Sequence, residues 1–161
     1  MAKSANLLSS IDIVFDNSKT ALNRQFEQSS SLDMKLGISI GLSGVILAAL
    51  LGLQGLNAYD MVTTWLIILA VTLVILSLIF AAYGVFLIGK FQWAPRPEAL
   101  RKFYLTTSAR ETKLVIIDTQ IEVYIKNRNF ISRKARMMKL SFYTVLCSAF
   151  VIGIAILYNL A

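Results

Sequence analysis

Side chains able to do bond-making chemistry are sparse in this sequence. Histidine is absent, the one cysteine is Cys147, and no Gly-rich phosphate loop occurs. No two acids are spaced as a shared acid–base site would require, and no His/Cys cluster offers a transition-metal cage. Fragments of the Ser-x-x-acid kind are better read as helix starts. In Ser108-Ala-Arg-Glu111 the hydroxyl and the carboxylate can reciprocally satisfy free backbone donors. The expectation is a non-enzymatic chain with no catalytic, cofactor-binding or metal-binding residues and no cofactor.

Charge is the denser signal. The stretch "KNRNFISRKARMMK", residues 126 to 139, holds six basic residues and no acid. Such a run could grip nucleic acid or mark a membrane face. The next segment decides between them, because Leu140 to Leu160 is uncharged for 21 positions, about the length of helix that crosses a hydrocarbon core. With few aromatics interleaved and no nucleic-acid fold signature, contact with anionic headgroups is the simpler reading, and no nucleic-acid partner is expected. Asp33, Lys35, Arg133, Lys134, Arg136 and Lys139 are the expected interfacial anchors.

The elements that carry these residues are membrane spans. The 161-residue chain is 57% hydrophobic and 16% charged, well below the roughly 25% charge of a soluble domain. Two further uncharged tracts separate Lys35, Asp60 and Lys90. The second has 29 residues, about 43 Å of helix, so it must tilt, bend or enter the interfacial layers. The predicted organisation is an all-α membrane protein: an amphipathic cytoplasmic helix at 1–31, transmembrane helices at 34–56 and 61–90, a cytoplasmic helical segment at 91–139, and a third transmembrane helix at 140–160.

Basic residues set the expected topology. The first 35 residues balance four bases against four acids, whereas residues 90 to 139 carry twelve bases against four acids, the bias of a cytoplasmic loop. This places the N-terminus inside and the C-terminus outside. Tyr59, Trp65 and Tyr158 then fall at the outer interface, and Phe91, Trp93 and Tyr143 at the inner one. The first 30 residues are polar and amphipathic, unlike a cleavable signal peptide, and a lone cysteine permits no intrachain disulfide.

Helix limits are readable in part. Pro95 and Pro97 end the second helix, and Pro97 with Glu98 suits the first turn of a short one. From Ser108 onward a three-four spacing runs through Leu114, Ile117, Ile121, Tyr124, Arg128, Ile131, Ala135, Met138, Phe142, Val145, Ala149, Ile152 and Ile156. Residues 108 to 160 therefore read as one helix, about 80 Å long, continuous from cytoplasm through membrane. Its partner in a cytoplasmic helical bundle is the N-terminal helix, with Leu8, Ile11, Phe15, Leu22 and Phe26 on one side. That helix is expected to end near "QSSS", where Ser30 and Asp33 offer a cap into the first span. Arg128 is out of place on an apolar stripe; it either meets an acid such as Asp16 or Glu27 or faces solvent.

Small residues set how spans pack. Gly37, Gly41, Gly44, Ala48, Gly52 and Gly55 share one face of the first span, and Gly37-Ile-Ser-Ile-Gly41 is a GxxxG match. Lacking aromatics, that span is expected to be central. Its face admits another backbone closely, from a helix of the same chain or from a second copy. Ala70, Ser77, Ala81 and Gly84 form a weaker small face on the second span. No ionisable residue lies within a span, which disfavours a single-chain selective transporter.

"SSSLDMKLGISIGLSG" leading into the first span and "NRNFISRKARMMKLSFYTVLCSAF" leading into the last resemble the small bacterial transmembrane effectors of Pycsar and related nucleotide-signalling antiphage systems. The resemblance spans residues 5 to 160 through loose patterns. By position, Asp33, Lys35, Asn127 and Lys134 are the residues that match. It implies an oligomeric protein of the bacterial inner membrane that impairs the membrane when triggered from the cytoplasm. The competing expectation is an accessory subunit that docks a protein partner through its cytoplasmic helices.

Overall fold

The computed structural model describes residues 2–53, 60–86 and 107–160. They form three helices: α1 (Ala2–Leu53), α2 (Met61–Phe86) and α3 (Ala109–Leu160). Each is long and apolar enough to cross a membrane, the build of an integral membrane protein. The short helix expected from Pro97, the aromatic anchors Tyr59, Phe91 and Trp93, and Gly55 lie outside the described residues.

The starts of α2 and α3 have local causes. Asp60 accepts the Met61 amide on Oδ1 at 2.8 Å, while its carbonyl accepts the Thr64 amide at 3.1 Å. At α3, the Glu111 amide donates to Ser108 Oγ at 3.4 Å, and Glu111 Oε2 accepts the Ser108 amide at 3.4 Å and its hydroxyl at 2.9 Å. The reciprocal cap read from the sequence is therefore formed.

One boundary differs. The expected helix end near "QSSS" is absent, because α1 runs unbroken from Ala2 to Leu53. Serine and aspartate favour caps when their side chains have no better use than the local backbone. Here Asp33 pairs with a lysine of α3 and is not left to cap, while Ser30 stays exposed within the continuous helix.

The chain divides into two compact units, residues 1–30 with 90–132 and residues 31–89 with 133–161. In the first, α1 and α3 run parallel. Lys113 Nζ meets Asp12 Oδ1 at 2.5 Å, Ser18 Oγ donates to Gln120 Oε1 at 2.5 Å, and Gln25 Nε2 donates to the Tyr124 carbonyl at 3.1 Å. Ile11, Ile117 and Val123 are its buried apolar residues, and Gln25, Gln120 and Asn127 are buried beside them. Arg128 is exposed, the solvent-facing alternative for that residue.

In the second unit α2 packs antiparallel against both α1 and α3, which also touch each other. Its inward residues are Thr63, Ala70, Val74, Ser77, Ala81 and Gly84, which include every member of the small face read from the sequence. Thr63, Ala70, Ser77 and Gly84 recur at seven-residue spacing, the repeat of interlocking helices. A central first span is not what forms: large apolar residues of α1, α2 and α3 alike, such as Val45, Trp65 and Phe150, face outward.

Candidate functional site

The interior of the three-helix unit is a polar seam inside an apolar sheath. Ser39 and Ser43 of α1, Ser77 of α2, and Ser141 and Ser148 of α3 are each fully shielded from solvent. Ser77 Oγ donates to the Ser141 carbonyl and Ser141 Oγ donates to the Ser77 carbonyl, both at 3.1 Å. Ser39 Oγ lies 2.6 Å from Ser141 Oγ, and Ser43 Oγ donates to the Ser39 carbonyl at 2.9 Å. Contacts of 3.2 Å between Ser43 Oγ and Ser77 Oγ, and 3.0 Å between Ser77 Oγ and Ser141 Oγ, close the group.

A hydroxyl has one proton to give and two lone pairs to receive. The two reciprocal bonds use the protons of Ser77 and Ser141, the backbone bond uses that of Ser43, and Ser39 can donate to Ser141 Oγ. All four protons then have acceptors, and three helices are joined at one level. In lipid, where burial of apolar surface does not draw helices together, such bonds average about 0.6 kcal/mol each and reach about 1.7 kcal/mol. Ser148 closes locally, donating to the Val145 carbonyl at 2.8 Å. Thr63 Oγ1, also buried, has no hydrogen-bond partner among the described residues.

Below the seam the packing tightens. A Cβ built on Gly84 would stand 2.9 Å from Leu36 Cδ1 and 3.4 Å from Met137 Cβ, so α2 can approach α1 and α3 here because position 84 has no side chain. One turn further, Lys134 Nζ lies 2.5 Å from Asp33 Oδ1. The contact is off the hydrogen-bond direction and acts as an ion pair. Lys134 is wholly buried, and the Asp33 side chain keeps 33% of its exposure.

These positions bear on three expectations. Lys134 is buried inside the protein, whereas Lys35, Arg133, Arg136 and Lys139 are exposed. Among the described residues nothing packs on the glycine face of α1: Gly37, Gly41, Gly44 and Gly52 are exposed, as is Ala48, and a Cβ on any of the four glycines would meet no described atom within 4 Å. The buried side of α3 is also rotated from the expected stripe. Ile117, Ile131, Met138, Val145 and Ile152 do face inward or partly inward, but Ile121, Arg128, Ala149 and Ile156 are exposed. Gln120, Asn127, Lys134, Ser141, Ser148 and Ala155, one residue earlier at every seventh position, take their place inside. The signal for this line was present as an unbroken seven-residue repeat, but most of its members are polar, and a search for apolar periodicity passes over them.

The site thus comprises a hydroxyl seam, a glycine-permitted close approach and a buried ion pair on the inside, with an uncovered groove of small residues on the outside. Among the described residues no group of three or more His, Cys, Asp or Glu side chains is placed to hold a metal ion. Comparison of the chain with known protein families, characterised proteins and solved structures finds no match.

Proposed function

We propose that the chain is a non-enzymatic integral membrane protein that self-associates through the glycine face of α1 and impairs the membrane when triggered from the cytoplasm. The observation that carries this reading is the contrast within α1: the serine side is consumed by the chain's own interior, while Gly37, Gly41, Gly44 and Gly52 form a groove that no other part of the described chain enters. Small-residue grooves are the surfaces through which helices associate in lipid, where two backbones gain dispersion contacts by close approach. The resemblance to small antiphage effectors supplies the biological setting, a bacterial inner membrane. The lysine and arginine excess of residues 90 to 139 supplies the orientation, with the N-terminus inside.

Gly41→Leu tests it. Energy transfer between labelled copies in bilayers should fall to the level of a non-associating control, and depolarisation on induced expression in bacteria should be lost with it. Association unchanged by the substitution would refute the role of this face.

An accessory subunit is the second reading, favoured by one observation. The two-helix unit leaves Ile13, Val14, Phe26, Ile121 and Ile125 exposed between 45% and 60%, a surface suited to a further helix of a partner protein. Benign expression together with stable copurification of one partner would favour it over the effector.

A further inference from the structure

Lys134 is the largest fully buried side chain among the described residues. Taking an ammonium out of water costs several kcal/mol in a real protein, and the cost is offset by close compensating charge together with hydrogen bonds. Asp33 supplies that charge at 2.5 Å. The two members are unequally placed, since Lys134 is sealed while a third of the Asp33 side chain still meets solvent. Lysine's four-carbon stem also has an alternative, because it can carry the charged head out to water while its methylenes stay on apolar surface. Arg133, Arg136 and Lys139, on the same stretch of α3, already face outward.

We propose that the Asp33–Lys134 pair is a releasable charge latch between α1 and α3. Closed, the carboxylate holds the ammonium inside and keeps the two helices together one turn from the layer of Leu36, Gly84 and Met137. Opened by loss of the carboxylate's charge, Lys134 turns outward and that layer loosens. Asp33 is the member that an outside event can reach, and Lys134 is the member that moves. The latch lies within the unit formed by residues 31–89 and 133–161 and does not depend on assembly through the glycine face.

The test uses full-length protein in lipid vesicles, acylated briefly with a water-soluble amine reagent and read by mass spectrometry. In the native chain Lys134 should react at least about tenfold more slowly than exposed Lys126, and in Asp33→Asn it should gain at least about tenfold, given the free energy at stake in a buried pair. Lys134 staying as slow in Asp33→Asn as in the native chain would overturn the latch.

To separate latch opening from a general loss of stability in Asp33→Asn, a second readout is taken in a Cys147→Ser background with Leu36→Cys and Met137→Cys. Cross-linking by a short thiol-bridging reagent should fall several-fold on adding Asp33→Asn. It should return on adding Lys134→Met as well, since no ammonium is then left to expel. A doubly neutral chain that cross-links as poorly as Asp33→Asn alone would show that the charge of Lys134 does not drive opening.

Discussion

Gly41 and Ser43 stand two residues apart on α1, both small, and face nearly opposite ways. Ser43 is sealed in the seam against Ser39 and Ser77, and Gly41 borders open space. On α2 the relation is reversed: its weaker small face, Ala70, Ser77, Ala81 and Gly84, is the one turned inward. Small size alone therefore does not determine which side of a span its own chain covers. Hydroxyls settle it here, because a serine facing lipid can bond only its own helix, whereas serines on three helices can bond one another. Glycine has no such requirement and can be left for an outside partner.

The sharpest way to break this contrast is to overfill the seam. Ser77→Leu adds bulk at a fully buried position and removes the hydroxyl that donates to the Ser141 carbonyl. It should lower the stability of the three-helix unit by about 3 kcal/mol or more, measured by denaturant unfolding in micelles. The same enlargement at Gly41 should leave that stability within about 0.5 kcal/mol, since an exposed site has nothing to displace. Comparable losses at the two sites would erase the distinction.

A gentler cut separates hydrogen bonding from volume. Ser141→Ala keeps the packing but removes the hydroxyl shared by Ser39 and Ser77, and should cost about 1–2 kcal/mol in the same unfolding measurement. No loss would make the seam a matter of small size alone. The smallest difference is expected between two methyl additions. Gly84→Ala forces Leu36 to shift by a few tenths of an ångström and should cost about 1 kcal/mol or less, while Gly153→Ala, in open space, should be neutral or slightly stabilising through helix propensity. Equal midpoints for the two variants would remove Gly84 as a point of close approach.

Legibility in the sequence divides along the same line. Spans were legible because charge is excluded from them, and the cap at Ser108 and Glu111 because three residues suffice to make it. The inner face of α2 was legible because its members are small and regularly spaced. The inner faces of α1 and α3 were legible only at apolar positions such as Ile11, Ile117 and Val145. Burial there selects Ser39, Ser43, Asn127, Lys134 and Ser141, whose polarity argues for exposure until the partner on the other helix is known. Asp33 shows the same dependence: read alone it is a helix cap, and only Lys134, on a different helix, makes it half of an ion pair inside a continuous α1.

The seam has one further consequence, for wetting. With each of its four protons already given to an acceptor, the serine group offers an incoming water molecule lone pairs but no free donor. Once the helices part, the hydroxyls and carbonyls that had bonded across them lose their partners together and become a continuous hydrophilic strip.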